Sequence, residues 1–165
     1  MKRLLRVLSV LVVLGAGCAR SHTLEGDGSV PVARDAAGPP AAFGLVTRTC
    51  GPDDGLAWAI LLTQAPVTCD TMEAPPGTSL AFLINGEVAA GASFSVDGTF
   101  RGAAVARCEG GAMSCVTATR GSVRIERFRE GSEIVLSWSL VLMDGSTDEG
   151  RARLTQFCPF DGPCG

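Results

Sequence analysis

Six cysteines carry the most definite chemistry of this 165-residue chain: Cys50, Cys69, Cys108, Cys115, Cys158 and Cys164. A seventh, Cys18, stands apart near the start. An even set spread over a short stretch reads as a disulfide framework. Zinc is the competing use of clustered cysteines. It calls for tight pairs such as C-x₂-C, and none of these spacings provides one. Six cysteines allow fifteen connectivities. Cys108 and Cys115 flank Glu109-Gly110-Gly111-Ala112-Met113-Ser114, a loop that can close on itself, so one pair is expected there. Cys158 is expected to reach back to Cys50 or Cys69.

The other reactive side chains are few. His22 is the only histidine and Lys2 the only lysine, and the chain has no tyrosine. The region bearing the six cysteines therefore lacks Ser-His-Asp and Cys-His chemistry, Schiff-base chemistry and a phosphate-loop lysine. Acid–base work there falls to carboxylates alone. The densest acidic stretch is Asp144-Gly145-Ser146-Thr147-Asp148-Glu149. Clustered carboxylates suit calcium, but the EF-hand spacing is lacking and Asp144-Gly145 is a turn dipeptide. Asp53-Asp54-Gly55 likewise reads as a turn. Arg120, Arg124, Arg127 and Arg129 form a basic cluster with Glu126 and Glu130 interspersed. It reads as a strand's solvent face laced by ion pairs, with a contact for anionic lipid or glycan as the functional alternative. The sequence calls for no catalytic residue, no metal and no cofactor.

The leader explains Cys18. Met1-Lys2-Arg3-Leu4-Leu5-Arg6 is basic, and Val7 to Leu14 is an apolar run. It is far shorter than the roughly 20 residues needed to span a bilayer as a helix. A basic segment, a short apolar segment and then small residues is the pattern of a secretory signal peptide. Gly15-Ala16-Gly17-Cys18 resembles a bacterial lipobox, although Gly15 stands where that class usually has leucine. The resemblance implies cleavage before Cys18, a diacylglyceryl group on its thiol and acylation of its amine. It also implies, from Ala19 after the cysteine, sorting to an outer membrane. The chain has fourteen basic and seventeen acidic residues. Lys2, Arg3 and Arg6 lie in the leader, so the chain from Cys18 onward keeps eleven cations, all arginine, against seventeen acids, a balance of −6. Such a balance argues against nucleic acid as a partner, because phosphate affinity rests on cation density.

The elements that would position these residues are strands. Residues 18–42 are rich in Gly, Pro and Ser without apolar periodicity, the composition of a tether. Further on, Leu56, Trp58, Ile60 and Leu62 alternate onto one face. Leu80 to Ile84 reads as a strand buried on both faces. Ala92 to Val96, Ser122 to Glu126 and Glu133 to Leu142 alternate, as does the end around Arg151, Ala152, Arg153 and Leu154. Asn85-Gly86, Asp97-Gly98 and Asp144-Gly145 suit type I′ hairpin turns, which need positive φ at both central residues. Glu130-Gly131 marks another turn. Strands with such punctuation predict an all-β fold, a small antiparallel sandwich or barrel with hairpin connections, braced by disulfides. A meander is expected from Ser122 to Cys158.

The expected organisation is thus a signal peptide at 1–17, a lipidated Cys18 and tether at 18–42, and a disulfide-bonded β domain at 43–165. The expected function is that of a non-enzymatic cell-envelope lipoprotein. It would be held to the membrane by its lipid anchor and act through an unidentified protein or ligand. A small-molecule or lipid carrier with a β-barrel pocket is the alternative, and a carboxylate-dependent hydrolase the third. Ala57, Ala59, Ala81 and Ala89 are small enough to leave room for such a pocket if they face inward.

Overall fold

The computed structural model describes residues 43–52, 54–70, 77–99, 101–110, 114–160 and 164. The predicted leader, Cys18, the tether with its His22, and Asp53 lie outside the described residues. The described part is all β. Its strands are β1 (Phe43–Cys50), β2 (Leu56–Thr63), β3 (Thr78–Asn85), β4 (Ser93–Val96), β5 (Ala103–Glu109), β6 (Cys115–Arg129), β7 (Glu133–Leu142), β8 (Thr147–Leu154) and β9 (Phe157–Cys158). They form one sheet in the order β8-β7-β6-β5-β3-β2-β1-β9, with β4 pairing β6 off that path. The sheet curls on itself as an open half-barrel.

The inner face is packed with the alternating apolar residues of nearly every strand. Trp58, Ile60 and Leu62 on β2 meet Leu80, Phe82 and Ile84 on β3. Across the core lie Val123 and Ile125 on β6 and Ile134, Leu136, Trp138, Leu140 and Leu142 on β7. The Phe82 and Trp138 rings meet edge to face at 5.3 Å, and Trp58 meets Phe128 the same way at 5.1 Å. Edge-to-face contact places the positive rim of one ring on the negative face of the other. Ala57, Ala59 and Ala81 alternate with these core residues and so lie on the opposite side of the sheet from them, while Ala89 is exposed. None of the four lines the interior, which large side chains occupy. Strand β3 is buried on both faces, as its uneven alternation predicted.

Strands β6, β7 and β8 form the expected meander as far as Leu154, but Phe157–Cys158 leaves it and pairs with β1 at the other end of the sheet. The turns differ in detail from expectation. At the β7–β8 tip the Gly145 N–H donates to the Leu142 carbonyl and the Leu142 N–H to the Ser146 carbonyl. Gly145 has φ of 84°, and Asp144 is not among the positive-φ residues. This is a three-residue loop closed by a left-handed glycine rather than a type I′ turn. Asn85-Gly86 and Asp97-Gly98 join no paired strands, because β3 pairs with β5 and β4 with β6. Each instead turns the chain at the end of its strand. Three strands went unread in the sequence, β1, β5 and β9. Strand β5 opens with Ala103-Ala104-Val105-Ala106, apolar without alternation because both its faces are buried. Strand β9 runs parallel to β1, an exception in an otherwise antiparallel sheet.

Candidate functional site

Three disulfides hold the described region. Cys108 joins Cys115, directly opposite each other at the β5–β6 turn. Cys69 joins Cys158 across 89 residues, and Cys50 joins Cys164 across 114. The Cys69–Cys158 bridge lies with Leu45 and Val67 in a second small apolar cluster. There it fixes the segment after β2 to β9. The buried Gln156 side chain donates to Cys69 Sγ at 3.6 Å. With every domain cysteine bridged, no thiolate is left for nucleophilic or metal chemistry.

The carboxylates are individually occupied rather than convergent. Asp144 accepts from the Ser146 hydroxyl at 2.6 Å and the Ser146 N–H at 2.9 Å, with Arg107 at 3.3 Å. The hydroxyl bond is the main reason its carboxyl is held below the ordinary value. Asp97 is lowered in the same way by the Thr99 hydroxyl. Asp148 and Glu149 are not turn residues, as the sequence suggested, but lie on β8. Asp148 accepts from Trp138 Nε1 at 2.8 Å, and Glu149 from the Ser139 hydroxyl at 2.7 Å. Successive strand residues point to opposite faces, so the acidic stretch divides and does not form a cation cage. Among the described residues, no group of three or more His, Cys, Asp or Glu side chains converges as a metal site.

The outer face of β6, β7 and β8 concentrates the positive charge. Residues paired across an antiparallel ladder share a face. Arg120 pairs with Val141, Arg124 with Ser137, Arg127 with Val135 and Arg129 with Glu133, all on the side of β7 away from the core. On the far side of β7, Arg151 and Arg153 pair with the same Ser137 and Val135. Glu133 sits between Arg153, 2.6 Å away, and Arg127, 3.8 Å away. It is 8% exposed, where alternation alone had placed it on the solvent side. The arginine stems cover it, since long charged side chains shield what lies beneath them. Glu126 takes both Nε and Nη2 of Arg151 on one oxygen, at 2.8 and 2.7 Å. That contact holds its carboxyl below the ordinary value, with burial opposing it. Glu130 pairs with Arg48, whose guanidinium also lies 5.1 Å over the Trp58 ring. The two acids expected to answer the β6 arginines are therefore engaged elsewhere. Arg120, Arg124 and Arg129 form no ion pair among the described residues.

Compared with protein-family models, with curated proteins and with solved structures, the chain matches none.

Proposed function

We propose that this chain is an exported, lipid-anchored envelope protein whose β domain acts by binding a protein or ligand rather than by catalysis. The observation that carries the reading is the set of three disulfides. Such bridges form and persist in oxidising compartments. They fit the leader, whose Gly15-Ala16-Gly17-Cys18 resembles a lipobox, and the anchor residue is then Cys18. Sorting to an outer membrane follows from Ala19 by the same resemblance. The binding role is supported by the chemistry of the side chains. The domain has no His, Lys or Tyr to exchange protons near neutral pH. Its most clustered acids are spent on Ser146, Trp138, Ser139 and arginines. Intact-protein mass spectrometry tests the anchor. The expected mature chain begins at Cys18 and carries a diacylglyceryl group with an added acyl chain, and Cys18→Ser leaves the protein unprocessed or released from the membrane. A mature chain without lipid would overturn the anchor.

A further inference from the structure

We propose that the outer face of β6, β7 and β8 docks on the anionic phosphate headgroups of a lipid bilayer. The inference starts from how four arginines reach one face. Simple alternation along β6 would put Arg120 and Arg124 on one side and Arg127 and Arg129 on the other. The register shift between Ile125 and Arg127 reverses the alternation. All four then lie outward, and Phe128 turns inward onto Trp58. Re-aiming side chains is what a bulge does. Arg151 and Arg153 extend the same face on β8, so six of the nine arginines from Phe43 onward gather there. This happens in a stretch that carries fourteen acids in all.

The chemistry of the face selects the partner. Arginine forks bind phosphate oxygens in pairs. Among the described residues the exposed large apolar side chains are Leu56 and Met143, and neither lies on β6 or β8. Nothing large and apolar is therefore exposed on those strands to stack on a sugar ring or to wedge among acyl chains, and the contact is electrostatic. The acids on or against this face do not cancel it: Glu126 is held by Arg151, Glu133 by Arg153 and Arg127, and Glu149 accepts from the Ser139 hydroxyl, so six arginines stand against three carboxylates. The bilayer itself comes from the anchored reading, on which the proposal rests. The twenty-five residues from Cys18 to Ala42 span at most about 90 Å, so an anchored domain stays within reach of the headgroups.

The test uses residues 18–165 with Cys18→Ser, which retain every described element and carry no lipid. Co-sedimentation is measured with vesicles of phosphatidylcholine alone and with phosphatidylglycerol added. Binding is expected only with phosphatidylglycerol, and is expected to disappear at high salt. The triple variant R120Q/R124Q/R129Q removes arginines outside the ion pairs, and should weaken binding by roughly 100-fold, at about fivefold per arginine. Its melting temperature should stay unchanged. A control triple, R20Q/R34Q/R101Q, makes the same change in net charge and should bind as the parent does. Equal losses in both triples, or no binding to phosphatidylglycerol, would overturn the proposal. Binding to polyglutamate but not to vesicles would overturn it in favour of an acidic protein partner. No step depends on acylation, so failure here is distinct from failure of the anchor, which the mass measurement reads.

Discussion

Trp138 joins the two kinds of interaction that hold this domain. Its ring fills the core against Phe82, and its Nε1 reaches Asp148 on the neighbouring strand. Truncation to alanine removes a buried ring and leaves a cavity, at a cost of about 3–5 kcal/mol. Asp148→Ala leaves the ring N–H without its acceptor and should cost about 1 kcal/mol. Urea melts with unchanged slope would separate the two, and a double variant costing less than the sum would establish their coupling. Glu126 supplies a pH signature. Its folded-state value lies below the ordinary 4.5 because of Arg151. The stability it contributes is therefore full above about pH 4.5 and is lost as pH falls through the lowered value. Glu126→Gln, a neutral stand-in for the protonated acid, should lower the neutral plateau and converge with the parent at low pH, which flattens this acid limb of a stability–pH curve. An unchanged acid limb would count against the Arg151 pairing as its cause.

At the scale of elements, β6 decides the shape. Its first residues pair with β5 and the rest with β4 and β7, so it carries the sheet from one half of the curl to the other. Gly121 lies just beyond the first register shift, with φ of 141°. A methyl group there would overlap the Ser139 carbonyl oxygen. Gly121→Ala should therefore cost more than about 1 kcal/mol. Gly55→Ala meets no neighbour within 4 Å and should be nearly neutral in the same thermal melts. The sequence revealed the strands that alternate cleanly, because one face of each is wet or polar. Strand β7 and the meander were legible for that reason, as was the local Cys108–Cys115 pair. Strand β5 was not, since burial on both faces erases the period of two and its alanines lack the large apolar side chains by which Leu80 to Ile84 still reads as a buried strand. The bulges of β6 were equally hidden. An extra residue leaves no mark in composition, and only the partner strand's register reveals that Arg124 and Arg127 share a face. The arginine cluster was therefore visible as a list of residues but not as a surface.

The whole molecule is a curled sheet whose ends are tied by chemistry rather than by ladder closure. After β8 the chain passes to the far edge and lays β9 beside β1. Two hydrogen-bonded residues would hold that crossing weakly, but Cys158 is bonded to Cys69 and Cys164 to Cys50, at the end of β1. These bridges close loops of 89 and 114 residues, against 7 for Cys108–Cys115. Cross-linking lowers the entropy of the unfolded chain in proportion to the logarithm of loop length. On that account each long bridge contributes roughly 4–5 kcal/mol and the short one about 2 kcal/mol. A net stability of 5–15 kcal/mol is typical of native proteins, so losing both long bridges removes a large part of it. The variant C108S/C115S should stay folded with a modest fall in melting temperature. C69S/C158S and C50S/C164S should each fall much further, and the combination of the two should be unfolded at 37 °C. The ordering is the informative part. If the short bridge proved the costliest to lose, native-state packing at the β5–β6 turn, rather than the tying of the crossing segment, would be what the disulfides provide.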